Sequence, residues 1–386
     1  MTMRNRIFYP FGSVAEAREA FKHPDGPGPY AYGRMGDPRV TELGRTIARI
    51  ERGNERCVYE HHTGLSSLHH LHLALTAKSA GLGRRAVLSA FIYGGSYEQL
   101  AGMRDEHSFD VAFVENPFSL EEWEKHITRD TALLFVETPS NPTGEVFDIQ
   151  ALAELAHRKG TLLIVDNTVG VTLQHPLHLG ADAVLHSVTK LLNGNGTALG
   201  GALVVREDSI LTSEALKKSL AFWFVHVGVI MAPEAAEQTL DHCGVIEVLE
   251  WEAQKISENA LYMAQWLEQH PKVKKVHYPF LKSYEHYALA RRQMSAGGGL
   301  LAFDVGSAEN AEKIGNEIIR AGLTFAPHLG YRGGTIYIAP AVTTHALLTP
   351  EQQAAAHITP GMIRVSVGVP GVGNDLEVLS GALKKI

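Results

Sequence analysis

The chain has 386 residues, of which 45% are hydrophobic, and its formal net charge is −7 at pH 7 with histidine neutral. A chain of this length and composition is expected to form two or three domains with a sizeable core. Its acidic balance argues against nucleic acid and anionic membranes as partners, since both select basic patches, and no apolar run approaches the roughly 18 residues of a membrane span.

The first predicted feature is an N-terminal arm. Residues 1–40 include the stretch HPDGPGPYAYGRMGDP, whose prolines and glycines are typical of an irregular segment. In residues 41–56, the side chains of Leu43, Ile47 and Ile50 have the spacing of an amphipathic helix. We therefore expect regular packing to begin with this helix.

Strand-like and helix-like segments then alternate along the chain. Continuous apolar runs typical of buried strands occupy residues 86–94, 131–139, 161–167, 182–188 and 201–207. Helical patterns occupy residues 119–127 and 148–160, where Ser119 and Asp148 are suitable N-caps and Gly160 is a suitable stop. Because the strands lack polar alternation, we expect a mainly parallel sheet covered by helices on both faces, which is an α/β fold.

A long helical pattern over residues 233–270 separates this region from the C-terminal part. There, residues 297–305 and 362–369 are strand-like and residues 307–322 are helix-like. The predicted division is an arm (1–40), a large α/β domain (41–232) and a smaller α+β domain (233–386).

Neither the cysteines nor the histidines form a metal-binding pattern. Cys57 and Cys243 give no disulfide framework and favour a reducing, cytoplasmic setting. The N-terminal stretch also lacks the apolar core of a signal peptide. His69 and His72 stand one helical turn apart in HHTGLSSLHHLHL (61–73), but no carboxylate or cysteine accompanies them. We therefore predict that the protein binds no metal.

Polar residues follow the apolar runs where the predicted strands end. Ligands of parallel α/β sheets bind beyond the carboxyl ends of the strands, so these residues are expected to share one cleft. They are Thr63 and Gly64, Tyr93 to Gly95, Glu137 to Asn141, Asp166 and Asn167, and Ser187 to Lys190. Singly, each is more often a turn or surface residue. Together they offer a lysine for a Schiff base, an acid for a pyridine nitrogen and a cradle for an anion, which are the requirements of pyridoxal phosphate.

Several stretches resemble the Cys/Met-metabolism family of pyridoxal-phosphate enzymes. In chain order they are ETPSNP (137–142), VDNT (165–168), LGADAVLHSVTKLLNGNG (179–196), LGGALVV (199–205), TTHALLTPEQ (343–352) and GMIRVSVGV (361–369). The resemblance runs from about residue 30 to the C-terminus. It implies the fold-type I aminotransferase-like architecture, pyridoxal 5′-phosphate as cofactor, an amino-acid substrate and a homotetramer built from two catalytic dimers.

The resemblance also implies a role for individual residues. Lys190 resembles the lysine that forms the Schiff base and moves protons, Asp166 resembles the partner of the pyridinium nitrogen, and Tyr93 resembles the stacking tyrosine that assists the leaving group. The other implied contacts are to the cofactor phosphate from Ser187, Thr189, Gly64 and Leu65, to the neighbouring subunit's phosphate from Tyr32 and Arg34, and to the substrate from Arg364, Asn141 and His328.

The chain departs from the family pattern at four places, one of which is GVGNDL (371–376), where only Asp375 remains of an acidic EDxxDL pattern. A basic RGLKTL-like segment is replaced by HCGVIEVLEWEAQKISENA (242–260), which carries Glu247, Glu250 and Glu252, and NGT (195–197) replaces an acid-bearing H-G-D. His328 stands where relatives have a serine near the substrate, and it adds a titratable group there. We expect the acids to form a solvated helix face. The alternative is that the acids or His328 adapt the pocket to an unusual γ-substituent, such as the guanidinooxy group of canavanine.

The resemblance implies γ-elimination or γ-replacement on a γ-substituted L-amino acid, at a carbon–sulfur or other carbon–heteroatom bond. Cystathionine β-lyase-type β-elimination is an alternative that the sequence does not separate. Two other classes are an aminotransferase and a non-catalytic regulator with the same fold. The presence of Lys190, Asp166, Tyr93 and Arg364 argues against the regulator.

Overall fold

The computed structural model describes residues 7–22, 30–77, 80–107 and 109–386, so parts of the predicted arm lie outside the described residues. The helices are α1 (Val14–Lys22), α2 (Pro38–Ile50), α3 (Gly64–Thr76), α4 (Gly94–His107), α5 (Leu120–His126), α6 (Ile149–Arg158), α7 (Glu214–Val227), α8 (Pro233–Cys243), α9 (Ile246–Glu268), α10 (Tyr287–Gln293), α11 (Ala308–Arg320), α12 (Pro350–Ala355) and α13 (Gly373–Leu383). The strands are β1 (Val58–His61), β2 (Arg85–Ser89), β3 (Asp110–Val114), β4 (Thr131–Glu137), β5 (Leu162–Asp166), β6 (Ala183–His186), β7 (Gly201–Val205), β8 (Lys275–His277), β9 (Leu300–Asp304), β10 (Thr324–Phe325), β11 (Ile336–Ile338) and β12 (Met362–Ser366).

The larger sheet has seven strands in the order β1-β7-β6-β5-β4-β2-β3. Strands β2 to β6 pair in parallel, which confirms the mainly parallel α/β prediction. Strand β7 runs antiparallel to both β1 and β6, so the parallel expectation was wrong for residues 201–207. The physical reason is the connection from β6 to β7, which contains no helix to carry the chain back for a parallel pairing.

Helices cover both faces of this sheet, as the apolar strand sequences predicted. In β5, Leu162 and Ile164 pack in one apolar cluster with residues of α3 and α7, whereas Leu163 and Val165 pack in another with residues of α6. Successive side chains of a strand point to opposite faces. A strand covered on both sides therefore has no position for a polar residue until it ends.

The smaller sheet has five strands in the order β10-β11-β12-β9-β8. Strand β12 runs antiparallel to both of its neighbours, and residues of α9, α11 and α13 pack against the sheet. The two cores meet within α9, where Leu249 packs with residues of α2 and β7 while Ala253 packs with the smaller sheet. The division of the chain at residues 232 and 233 stays a prediction.

Several element boundaries differ from the sequence prediction. Residues 1–40 were expected to be irregular, but the described part contains α1, whose sequence VAEAREAFK is rich in strong helix formers. Helix α2 begins before residue 41, because Asp37 caps it and Pro38 occupies its first turn. The helical stretch 233–270 is two helices, α8 and α9. The N-caps Ser119 and Asp148 are confirmed.

Among the described residues, no helix combines the length and apolar character that crossing a membrane requires.

Candidate active site

The strands of the larger sheet deliver their polar ends to one cavity of about 210 Å³. Its other wall comes from residues 327–329, from Thr344 and from Arg364 on β12. The predicted site residues that line this cavity are Lys190, Tyr93, Asp166, Ser187, Thr189, Gly64, Leu65, Arg364, Asn141 and His328. The expectation that the strand-end residues share one cleft is confirmed for Thr63, Gly64, Tyr93, Glu137, Asn141, Asp166, Ser187, Thr189 and Lys190, whereas Gly94, Gly95 and Asn167 do not line the cavity.

The start of α3 forms one end of the cavity. Thr63 caps the helix by accepting a hydrogen bond from the Ser66 N–H at 3.0 Å, so the N–H groups of Gly64 and Leu65 begin the first turn and have no intrahelical acceptor. A Cβ atom on Gly64 would lie 3.1 Å from Cβ of Ser187 and 3.4 Å from its Oγ. The absence of a side chain at residue 64 therefore leaves a small polar recess with the donors that a phosphate group requires.

Two buried carboxyl groups lie at neighbouring strand ends in the cavity wall. Asp166 is 7% exposed and accepts a hydrogen bond from the Thr168 N–H at 2.9 Å. Glu137 is 3% exposed, and its two oxygens accept from the backbone N–H groups of Tyr93 at 2.6 Å and Asn141 at 2.7 Å. Burial and the charge of Asp166 raise the pKa of Glu137 well above its usual range. Burial also raises the pKa of Asp166, so the two neighbouring carboxyl groups keep a proton to higher pH than exposed carboxyl groups do.

The sequence interpretation gave Glu137 no role, although it had placed the residue at a strand end. The signal was its position directly after the apolar run TALLFV, the same position that Asp166 has after LLIV. The paired register of β4 and β5 places Glu137 opposite Asp166. The sequence did not reveal that the Glu137 carboxyl group accepts hydrogen bonds from the backbone of the loops that carry Tyr93 and Asn141.

Lys190 lies at the centre of the cavity wall, three residues after Ser187. Its burial, together with the nearby positive charge of Arg364, lowers the pKa of its ammonium group to about 8. Burial disfavours the charged form of a lysine, so about a tenth of the side chain is the neutral amine at pH 7. Such an amine is both a nucleophile and a proton acceptor.

Arg364 is buried on β12, at 2% exposure, and it has no carboxylate partner among the described residues. Its Nη1 donates to Oδ1 of Asn141 at 3.1 Å and its Nη2 donates to the carbonyl oxygen of His328 at 2.7 Å. Its Nε is buried with no hydrogen-bond partner. Burial lowers its pKa to about 10, which leaves the guanidinium charged at neutral pH. A buried cation with free donors fits a ligand carboxylate.

His328 lines the same cavity as Lys190. Burial and the positive charges of Lys190 and Arg364 lower its pKa to about 4, so the imidazole is neutral at neutral pH. Its Nε2 is buried and has no partner. The imidazole therefore presents an unused hydrogen-bonding atom next to the ligand space.

Tyr32 and Arg34 do not line this cavity. The guanidinium of Arg34 lies over the ring of Tyr32, 5.9 Å from the ring centre, and its Nη1 donates to the carbonyl oxygen of Val225 at 2.9 Å. Tyr32 is 40% exposed. Their contact with a neighbouring subunit's phosphate stays a prediction.

The acids of the 242–260 segment also lie outside the cavity. Glu247 and Glu250 are exposed, in agreement with a solvated helix face. Glu252 is buried, so the solvated-face prediction was wrong there; it is paired with His242 and Arg332. Because none of the three lines the cavity, the structure contradicts the alternative in which these acids contact a γ-substituent.

Comparison with known proteins identifies the family. The model of the Cys/Met metabolism PLP-dependent enzymes matches residues 8–384. The chain belongs to this family. The cystathionine gamma-lyase of Bacillus subtilis is 32% identical over 359 residues, covering 92% of this chain and 89% of the relative. The O-succinylhomoserine sulfhydrylase of Pseudomonas aeruginosa is 35% identical over 363 residues, covering 94% of this chain and 85% of the relative.

Solved structures agree with this assignment. The cystathionine gamma synthase of Xanthomonas oryzae pv. oryzae, in complex with cystathionine, has a TM-score of 0.86 and 28% sequence identity, and the match covers 98% of this chain and 91% of that chain. The fold-type I architecture is therefore confirmed, and the protein is a pyridoxal-phosphate-dependent enzyme of the cystathionine gamma-synthase-like group.

The cavity has the residues that pyridoxal phosphate requires. The recess between Gly64 and Ser187 offers donors for the phosphate, Asp166 offers a buried carboxyl group for the ring nitrogen, and Lys190 offers an amine for the aldehyde. Thr189 accepts a hydrogen bond from the Gly200 N–H through its hydroxyl at 3.0 Å, which fixes that side chain beside the recess. The residues present therefore fit the cofactor.

Proposed function

We propose that this enzyme catalyses γ-elimination or γ-replacement on a γ-substituted L-amino acid. The observation that carries the proposal is the pairing of Lys190 with Arg364 across one cavity: a buried amine of lowered pKa faces a buried guanidinium that lacks an acidic partner. An α-amino acid has a carboxylate that Arg364 can bind, and it has an α-proton that Lys190 can remove. The two relatives named above, a γ-lyase and an O-succinylhomoserine sulfhydrylase, support the same reaction class.

The cofactor-binding residues have distinct tasks. When bound, pyridoxal phosphate supplies an aldehyde that condenses with amines and a ring that withdraws electrons from the substrate's α-carbon. Gly64, Leu65, Ser187 and Thr189 hold the phosphate at the start of α3. The carboxyl group of Asp166 would hold the proton of the ring nitrogen.

The substrate-binding residues place the reacting carbons near Lys190. Arg364 binds the α-carboxylate through its free donors, and Asn141 orients the guanidinium through its Oδ1. Lys190 then takes the α-proton, and a second proton leaves the β-carbon before the γ-substituent departs. Tyr93 lies at the cavity mouth and assists the leaving group. Elimination releases the γ-substituent with a proton and, after hydrolysis by one water molecule, gives a 2-oxo acid and ammonia, whereas addition of a nucleophile gives replacement.

His328 is the residue we assign to recognition of the substrate side chain. His328 lines the cavity, its imidazole is neutral, and its Nε2 has no hydrogen-bond partner. An unpaired buried nitrogen favours a γ-substituent with which it forms a hydrogen bond. A lyase acting on a substituent such as the guanidinooxy group of canavanine is the alternative that this atom supports, and cystathionine β-lyase-type β-elimination is the other alternative.

We also propose that the enzyme is a homotetramer made of two catalytic dimers. Tyr32 and Arg34 then complete the phosphate site of the neighbouring subunit. Exposed apolar side chains on the surface support association, namely Val245 and Val248 with Trp251 near the start of α9. The free thiols of Cys57 and Cys243 support a cytoplasmic location.

A substrate panel tests the proposed function. The panel is cystathionine, methionine, O-acyl-homoserines, homocysteine, cystine and canavanine, with 2-oxo acid, ammonia and the released group measured for each. We expect turnover of at least one γ-substituted amino acid, with the released group in equal amount to the 2-oxo acid. Turnover of β-substituted substrates alone refutes the γ-assignment. Amino-group transfer to an added keto acid without release of a leaving group identifies an aminotransferase instead.

A further inference from the structure

Glu252 on α9 lies outside the cavity, and its side chain links α8 to the segment that contains Arg332. Its side chain is 7% exposed. One oxygen, Oε2, accepts from Nε2 of His242 at 2.6 Å, and Nδ1 of His242 lies 2.9 Å from the carbonyl oxygen of Leu192. Both nitrogens of this buried ring are thus engaged. Glu252 on α9 is thereby connected, through α8, to the backbone two residues after Lys190.

The other oxygen of Glu252 reaches the same loop by a second route. Its Oε1 accepts from Nη1 of Arg332 at 2.8 Å. Arg332 in turn donates from its backbone N–H to the carbonyl oxygen of Gly194 at 2.8 Å and from Nε to Oδ1 of Asn195 at 2.9 Å. Residues 191–197, which we name the lysine loop, are therefore linked to Glu252 at Leu192 through His242 and at Gly194 and Asn195 through Arg332.

The segment 328–332 connects this network to the ligand space. Its first residue, His328, lines the cavity and accepts from Arg364 through its carbonyl oxygen. Gly330 has φ of +78°, and a Cβ atom there would lie 2.6 Å from the backbone nitrogen of Leu191. The segment therefore packs directly on the lysine loop, and the anchoring of Arg332 fixes where His328 stands relative to Lys190.

We propose that Glu252 is a positioning residue that fixes the separation between the lysine loop and the segment 328–332, and so sets the width of the substrate cavity between Lys190 and His328. This proposal rests on the proposed function, because a change in KM has a meaning only if the enzyme turns over a substrate of the panel. Glu252 then stabilises the shape of the cavity, although its side chain does not line it.

Glu252→Gln in the holoenzyme tests the inference, with Glu250→Gln as the matched control on the exposed face of the same helix. A glutamine lacks the negative charge, so the bond from Arg332 and the contact with His242 both lose their charge assistance and weaken. For the best substrate of the panel, we expect KM to rise about tenfold with kcat changed less than about threefold. The cofactor absorbance and the control variant are expected to remain as in the wild type.

Arg332→Gln is a second variant that breaks the bond between Arg332 and Glu252. Because the side chain of Arg332 is 41% exposed, we expect the fold to tolerate this substitution more readily. The double variant is expected to raise KM no further than the more severe single variant, since both changes break one shared link. If Glu252→Gln lowers thermal stability while both variants keep the wild-type KM, Glu252 is only a structural residue and the inference is refuted.

Hydrogen exchange of the holoenzyme supplies a measurement that needs no substrate. We expect Glu252→Gln to increase exchange in residues 191–197 and 328–334 relative to the wild type. Faster exchange confined to α8 and α9 contradicts the inference. If the wild-type enzyme turns over no member of the panel, the proposed function has failed, and the exchange result alone decides whether Glu252 holds the two loops together.

Discussion

Replacing Arg364 by lysine keeps the charge of the predicted carboxylate site and removes part of its donor geometry. Two of the guanidinium's N–H groups are already used, by Oδ1 of Asn141 and by the carbonyl oxygen of His328. The remaining N–H groups offer a pair of bonds to a carboxylate. A lysine has three N–H groups in all, so after serving the same two acceptors it retains one for the substrate.

The expected cost is therefore one charge-assisted hydrogen bond. Such a bond contributes about 1.5 to 3 kcal/mol, which corresponds to a decrease of about 10- to 100-fold in kcat/KM. Steady-state kinetics on the best panel substrate measure this decrease, while the cofactor absorbance is expected to stay unchanged because Arg364 does not contact the phosphate recess. Arg320→Lys is the matched control, since Arg320 is 70% exposed. A kcat/KM within about twofold of the wild type for Arg364→Lys refutes the bidentate role.

Three further predictions concern single groups in the cavity. Lys190→Ala is expected to abolish turnover while the protein still binds pyridoxal phosphate without a borohydride-sensitive bond, and residual turnover above about 1% contradicts its assignment as the base. The amine of Lys190 is neutral above its pKa of about 8. The rate at which the apo protein gains cofactor absorbance is therefore expected to rise with pH up to about 8 and then level off. A rate that does not change from pH 6 to 9 contradicts the lowered pKa of Lys190. His328→Ala is expected to change the ratio of kcat/KM between panel substrates more than cofactor affinity, and unchanged ratios exclude a role for His328 in substrate choice.

The positions of Asp166, Ser187 and Lys190 could be predicted from the sequence because strands covered on both faces are apolar until they end. The first polar residues after such a run are therefore at the edge of the sheet where ligands bind. The same reasoning reached Glu137 but not its function, since its hydrogen bonds to two backbone N–H groups depend on how the following loops fold.

The pairing of Glu252 could not be predicted because its partners lie far away in sequence and on other elements. Periodicity places Glu252 on a helix, but the burial of that helix face depends on His242 and Arg332 arriving from α8 and from the 328–332 segment. The direction of β7 was missed for a related reason. An apolar run specifies burial on both faces, but it does not specify which way the strand runs.

The hydrogen bond between Arg364 and Asn141 joins residues 223 positions apart in the chain. The ligand cavity therefore does not exist until the two sheets have docked, because neither the start of α3 nor β12 forms it alone. Contacts of such long sequence separation close late, after the entropy of the intervening chain has been lost. The residues assigned to the cofactor all come from the larger sheet, so docking of the C-terminal strand supplies the substrate-binding Arg364 rather than the cofactor site.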